Sequence, residues 1–103
     1  MAELTVIWWR DIPAQVVAKS GRETVKLQLP GRFQHAIDDA AMRVGLTGTD
    51  AYLSEWRRET RPCGDDLQAE ASAEAGRLDA AHDPTELDRL ARGGGLREGR
   101  DGS

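Results

Sequence analysis

Cysteine is nearly absent from this chain of 103 residues, and its single cysteine, Cys63, cannot close an internal disulfide. A small domain without disulfides is typical of a reducing compartment, so we expect the protein to be cytoplasmic. Long apolar runs are also absent, since nothing approaches the roughly 18 apolar residues that a membrane span needs. The first residues carry Glu3 and no basic segment, which is not the pattern of a secretory signal. We therefore expect no membrane partner.

Groups that could carry catalysis or bind a metal are equally scarce. Thiol and imidazole groups come only from His35, Cys63 and His82, and their spacing matches no zinc pattern. Cys63 lies in a Pro-Cys-Gly linker, which offers no rigid element to hold a base beside it. The glycine run 93–95 follows a predicted helix instead of opening one, so it does not match a phosphate-binding loop. The sequence therefore predicts a protein that is not an enzyme, with no cofactor and no metal site.

Charge divides the chain into two parts. Residues 1–62 contain nine Lys or Arg and eight Asp or Glu, a net charge of +1, whereas residues 63–103 contain five and ten, a net charge of −5. The apolar periodicity weakens at the same point. We therefore expect a small α+β domain over 1–62, an acidic helical tail over 63–92 and a disordered C-terminus over 93–103. Arginine supplies nearly all of the 14 basic residues, a bias typical of bacterial coding sequences rich in GC.

β-Branched and aromatic residues predict three strands in the N-terminal part. Residues 4–10 form the first strand, and because both of its faces are largely apolar we expect it to take an inner position. Residues 15–19 and 23–29 form the second and third strands. The first turn is predicted at 11–14, where Pro13 cannot donate to a ladder. We predict a three-stranded antiparallel β-meander; if the first strand is central, the third must pair with it instead of with the second.

The apolar spacing then becomes helical. A first helix begins at Arg32 and ends before Gly45, a residue suited to a C-terminal cap. A second helix is predicted from Thr49, or alternatively Thr47, to about residue 58. We predict that these two helices pack on one face of the sheet.

The tail is helical by propensity but poor in large apolar side chains. One helix is predicted over 65–81, and Asp83-Pro84-Thr85-Glu86 is a strong signal for the start of another. The predicted core consists of Val6, Trp8, Val16, Val25, Leu27, Leu29, Phe33, Ile37, Ala40, Val44, Leu53 and Trp56.

The adjacent tryptophans Trp8 and Trp9 are the best pointer to function. Neighbouring residues on a strand face opposite sides of the sheet, so the two indoles cannot share one environment. We assign Trp8 to the helix-covered core and leave two alternatives for Trp9: it anchors a partner, or the tail folds back over it. In the second case Leu67, Leu78 and Leu87 would meet the face that carries Trp9. A register error of one residue would exchange the roles of the two tryptophans.

An exposed indole beside an arginine is typical of residues that dominate a protein interface. We therefore predict that the first hairpin binds another protein or a second copy of the chain. The predicted binding residues are Trp9, Arg10, Asp11, Pro13, Lys19, Arg22 and Lys26. Weak binding of single-stranded nucleic acid by the basic side of the hairpin is the alternative, since an indole can stack on a base. The net charge of −4 for the whole chain argues against nucleic acid as the partner.

Three runs of the sequence carry a resemblance to a known family. They are Thr5-Val6-Ile7-Trp8-Trp9-Arg10-Asp11-Ile12-Pro13, Leu29-Pro30-Gly31-Arg32-Phe33-Gln34-His35 and Asp50-Ala51-Tyr52-Leu53-Ser54-Glu55-Trp56. In these runs the chain resembles the virulence factor domain, a small bacterial domain, over roughly residues 3–60, with further similarity in the tail. The resemblance implies a bacterial cytoplasmic accessory or interaction protein, because no catalytic residues are assigned to that family.

Overall fold

Four antiparallel strands form one sheet in the computed structural model, which describes residues 1–46 and 50–96. The strands are β1 (Ala2–Trp9), β2 (Ile12–Ser20), β3 (Glu23–Gln28) and β4 (Trp56–Pro62), and their order across the sheet is β3-β2-β1-β4. The α+β class, the antiparallel β1-β2-β3 meander and the inner position of β1 are confirmed. The other neighbour of β1 is β4, and β3 pairs with β2, so the expectation that a central first strand must pair with the third strand is wrong.

The fourth strand replaces part of a predicted helix. The helix predicted to reach residue 58 is wrong beyond its first turns, because the structure has a short helix, α2 (Asp50–Ser54), followed by β4. The alternative cap residues Thr47 and Thr49 lie outside the described residues. Charged side chains fill most of β4, which is typical of an edge strand protected against further pairing. Its partner strand β1 is remote in sequence, so local patterns do not reveal it.

The turn of the first hairpin consists of Arg10 and Asp11. The turn predicted at 11–14 is therefore wrong, since Pro13 already belongs to β2. Arg10 has a φ of +55°, the left-handed conformation that the favoured two-residue hairpin turns require. Pro13 is tolerated within β2 because the ladder with β3 begins only at Gln15.

Three longer helices cover one side of the sheet. They are α1 (Gly31–Arg43), α3 (Leu67–Ala81) and α4 (Pro84–Arg92). Helix α3 packs mainly against β2 and β3, and α4 packs against α1. The prediction of two covering helices is wrong in number, because α2 buries no residue whereas both tail helices contribute to the core. No helix in the two described segments is long and apolar enough to cross a membrane.

The predicted cap signals are confirmed at two helix ends. The Asp83 carboxylate accepts a hydrogen bond of 2.8 Å from the backbone N–H of Glu86 at the start of α4. Gly45, with a φ of +71°, follows the last turn of α1. The N–H of the next residue, Leu46, donates to the carbonyl of Ala41 at 2.9 Å, which completes a Schellman cap.

Six of the twelve predicted core residues are buried in the structure. Val6, Val16, Leu29, Phe33, Ile37 and Ala40 are buried, while Trp8, Val25, Leu27 and Trp56 are only half-buried at its margin. Val44 and Leu53 are 42% and 63% exposed, so their assignment to the core is wrong. Val44 lies beyond the last turn of α1 as its C-cap, and Leu53 lies on α2, which packs no side chain into the core.

After α4 the chain continues as a turn that we call the glycine strap, Gly93–Leu96. The sequence predicts disorder over 93–103. Residues 93–96 form hydrogen bonds both within the strap and back to α4. Residues 97–103 lie outside the described part of the chain.

Candidate interaction surface

Trp9 is fully buried, whereas Trp8, which the sequence assigns to the helix-covered core, is only half-buried at the margin of the core. The Tyr52 ring lies 5.5 Å from the Trp9 ring, centroid to centroid, and Trp9 Nε1 donates a hydrogen bond of 3.0 Å to the Tyr52 carbonyl. The guanidinium of Arg10 lies 5.3 Å from the centroid of the same indole. Of the two alternatives for Trp9, the structure therefore shows the covered one. These contacts come from α2 and, through Gly95, from the glycine strap, whereas the sequence predicts that Leu67, Leu78 and Leu87 provide the cover.

The backbone carbonyls of the glycine strap accept hydrogen bonds from the first hairpin. The N–H of Asp11 donates to the carbonyl of Gly95 at 2.8 Å, and Nη1 of Arg10 donates to the carbonyl of Gly94 at 2.9 Å. Gly94 and Gly95 have φ values of +72° and +91°, which L side chains rarely adopt. Only glycines allow the strap to take this path against the hairpin.

Trp8 lies between a cation and an imidazole. The Arg57 guanidinium is 5.2 Å from the centroid of its ring, and the His82 ring packs edge-on against it at 6.2 Å. Because α3 lies over β2 and β3, the helix layer does not close completely over Trp8. Its Nε1 is buried and has no hydrogen-bond partner within the described residues.

The predicted binding residues of the hairpin turn are internal to the fold. Pro13 is fully buried and Asp11 is 3% exposed. Arg10 forms an ion pair with Glu55, in which Nε lies 3.0 Å from Oε1. Arg57 donates a hydrogen bond to the carbonyl of Arg10 and lies 4.0 Å from the Asp11 carboxylate. These residues hold the hairpin against β4, and their side chains are not a free surface.

The remaining predicted residues, Lys19, Arg22 and Lys26, are exposed. Two of them lie on the side of the sheet opposite the described helices α1, α3 and α4, which we call the outer face. Strand pairing places three rows of directly opposite residues there. From β4 to β3 these rows are Pro62, Glu3, Lys19 and Thr24; then Thr60, Thr5, Val17 and Lys26; then Arg58, Ile7, Gln15 and Gln28.

The centre of the outer face is aliphatic. Ile7 and Val17 are half-buried there, and the Thr5 and Thr60 hydroxyls beside them hydrogen-bond to each other at 2.9 Å. At one end Ile7, Trp56, Arg57 and Arg58 line a shallow depression of 450 Å³. The Trp56 ring packs edge-on against Tyr52 at 6.2 Å, so it borders the depression without standing free of the protein.

The cations of the outer face differ from those elsewhere. The arginines paired with carboxylates are Arg10, Arg32, Arg43, Arg57, Arg61, Arg77, Arg89 and Arg92. Over residues 1–46 and 50–96, Lys19, Arg22, Lys26 and Arg58 form no ion pair. Three of these cations lie in the rows of the outer face and Arg22 lies in the β2–β3 turn.

The predicted binding residues do not include Ile7, Val17 and Arg58 of this surface. Arg58 lies on β4, in a segment for which the sequence predicts a helix. Val17 follows the inward Val16 on β2, and an apolar residue on each face of a strand was the available signal for an apolar outer face.

Candidate chemical groups are separated in the fold. His35 is exposed on α1, whereas His82 is 4% exposed at the C-terminal end of α3. Burial, followed by the nearby Glu70 carboxylate, raises the pKa of the Cys63 thiol and so lowers its thiolate fraction. In the part of the chain that the structure describes, no group of three His, Cys, Asp or Glu side chains is placed to hold a metal ion.

The family model described as virulence factor matches residues 7–91 of this chain. The match begins in β1 and extends through α3 and nearly all of α4, beyond the region that the sequence runs alone suggest. No curated protein and no solved structure matches the chain. Since the family model covers most of its length, this chain belongs to the virulence factor family.

Proposed function

We propose that this virulence factor domain is a non-enzymatic, cytoplasmic interaction module that binds a partner protein with the outer face of its sheet. The observation that carries the proposal is the half-buried aliphatic pair Ile7 and Val17 at the centre of a sheet face that the described long helices leave open, because they pack on the other side. Apolar side chains that remain accessible within a rim of polar and charged residues fit the centre of a protein-binding site. The sequence predicts protein binding by the first hairpin through its turn. We propose that the outer side of its strands binds the partner instead.

A protein fits this face better than a nucleic acid. Binding of single strands relies on aromatic rings that stack on the bases, and the three rows of the outer face contain only aliphatic, polar and charged side chains. The ring of Trp56, next to the last row, is packed against Tyr52. The whole chain also carries a net charge of −4, which opposes approach to a polyanion.

A second copy of the chain is a poorer partner for the same face. Apposing two outer faces would bring Lys19, Lys26 and Arg58 of each copy close to like charges, which is unfavourable in a desolvated interface. A different protein carries no such restriction.

Site-specific photocrosslinking tests the proposal. The photoreactive p-benzoyl-phenylalanine is placed at Val17 in the full chain, or at Met42, which is 69% exposed on α1 and serves as the matched control. In bacterial cells that carry the protein, we expect one protein to crosslink at position 17 and not at position 42. The additional change Ile7→Thr should lower the yield, because threonine keeps the β-branched shape and removes apolar surface.

Two results would contradict this function. One is equal crosslinking at both positions, and the other is a crosslinked species that contains nucleic acid or a second copy of the chain. A labelled single-stranded oligonucleotide provides the companion assay. We expect no binding even at low salt, where phosphate contacts are strongest.

A further inference from the structure

Two cations that form no ion pair with any described residue lie at opposite margins of the outer face. Arg58 lies on β4 and Lys26 lies on β3, so three strand spacings, roughly 14 Å, separate them across the sheet. The strands between them carry Ile7 and Val17 at its centre. An α-helix with its side chains is about 10–12 Å wide. A helix lying along the strands would therefore rest on the aliphatic centre with one cation at each flank.

The charge pattern indicates what such a helix carries. Elsewhere in the described chain every arginine except Arg22, in the β2–β3 turn, is ion-paired within the fold, whereas Arg58, Lys26 and Lys19 of the outer face form no ion pair with a described residue. Glu3 is the direct cross-strand neighbour of Lys19 and partly offsets its charge. Arg58 and Lys26 have no such neighbour in their rows. Complementary charge across an interface directs partner choice and association rate, so the matching surface is acidic.

We propose that the outer face binds an amphipathic acidic α-helix of the partner protein. This inference rests on the proposed function and adds the chemistry of the partner. The aliphatic stripe of the helix packs on Ile7 and Val17, and carboxylates on its two flanks pair with Arg58 and Lys26. Helices α3 and α4 of a second copy do not supply this segment, because their leucines are already buried in the core.

Three stapled helical peptides test the inference by fluorescence anisotropy. All carry the same leucine stripe, and their flanking positions hold Glu, Gln or Lys. We expect the Glu peptide to bind the full chain most tightly. Lys26→Glu with Arg58→Glu should weaken that binding at least roughly tenfold, since two favourable pairs become repulsive. The same double variant should bind the Lys peptide better than the wild type does.

A matched control separates local pairing from overall charge. Arg89→Glu with Arg92→Glu changes the net charge equally on exposed positions of α4 and should alter binding of the Glu peptide less than twofold. If the Gln peptide binds as tightly as the Glu peptide, or the control weakens binding as much as the test variant, the acidic partner is ruled out.

The peptide and crosslinking results together distinguish failure of this inference from failure of the proposed function. Failure of every peptide to bind at about 1 mM, together with a protein crosslinked at Val17, overturns the acidic helix and keeps the protein-binding face. Failure of the peptides and of the position-specific crosslink overturns both. Displacement of the Glu peptide by an oligonucleotide also contradicts the inference, since it would show recognition of negative charge alone.

Discussion

Gly95 lies against the indole of Trp9: a Cβ built on this glycine would fall 2.7 Å from Cζ3 of the ring. The contact joins the end of the described chain to the end of β1. It explains why a fully buried tryptophan can stand next to a half-buried one on the same strand. At the end of β1, the glycine strap and α2 cover Trp9, which helices α1, α3 and α4 leave open.

Gly95→Ala should destabilise the fold by about 2–4 kcal/mol, because the new methyl group meets Trp9 and the backbone has a φ of +91°. Gly21→Ala is the control, since Gly21 has a φ of +58° and open space around a Cβ. That variant should cost about 1 kcal/mol from backbone strain alone. Urea unfolding gives both free energies. Equal losses for the two variants would show that the strap does not press on Trp9.

The two tryptophans should respond differently to phenylalanine. Trp9→Phe removes a hydrogen bond to the Tyr52 carbonyl and part of a fully buried ring, and should cost about 2–3 kcal/mol. Trp8→Phe removes a half-buried ring whose Nε1 makes no hydrogen bond to any described residue, so we expect a loss of about 1 kcal/mol or less. Chemical unfolding of both variants measures the difference. The reverse order would restore Trp8 as the core residue.

The Cys63 thiol should react slowly. Its raised pKa keeps it protonated at neutral pH, and only the thiolate attacks iodoacetamide. Alkylation of the folded chain should therefore be slower than that of the urea-unfolded chain, and its pH midpoint should lie higher. Glu70→Gln removes the second cause of the shift and should move the midpoint down. A folded-state midpoint at or below the unfolded one would contradict this environment.

Much of the fold follows from local sequence signals. The alternation in β3, the apolar stripe of α1 and the Asp83 cap each act over a few residues, and each is found where the sequence predicts it. β4 could not be found in this way. Its residues are charged, and its stability comes from pairing with β1 about fifty residues earlier in the chain. Local propensity over residues 50–58 therefore favoured a helix.

The interaction surface was predictable only in part. Lys19, Arg22 and Lys26 lie on or beside strands whose alternation is visible, so their exposure could be inferred. The choice between a partner and an internal cover for Trp9 could not be made from the sequence, because period-2 alternation assigns faces but does not show which residues lie over them. Its cover comes from Tyr52 and Gly95, which no local pattern connects to β1. The contribution of Arg58 depends in turn on the existence of β4.

The most direct test of the central claim is calorimetry with the protein that crosslinks at Val17. The double variant Ile7→Thr with Val17→Thr removes the aliphatic centre and keeps β-branched side chains, while Met42→Ala with Leu53→Ala removes exposed apolar surface elsewhere. We predict that the first variant weakens binding at least roughly tenfold, from two lost apolar contacts, and that the second leaves the affinity unchanged. Equal affinity of the first variant and the wild type would contradict the assignment of the outer face as the binding surface.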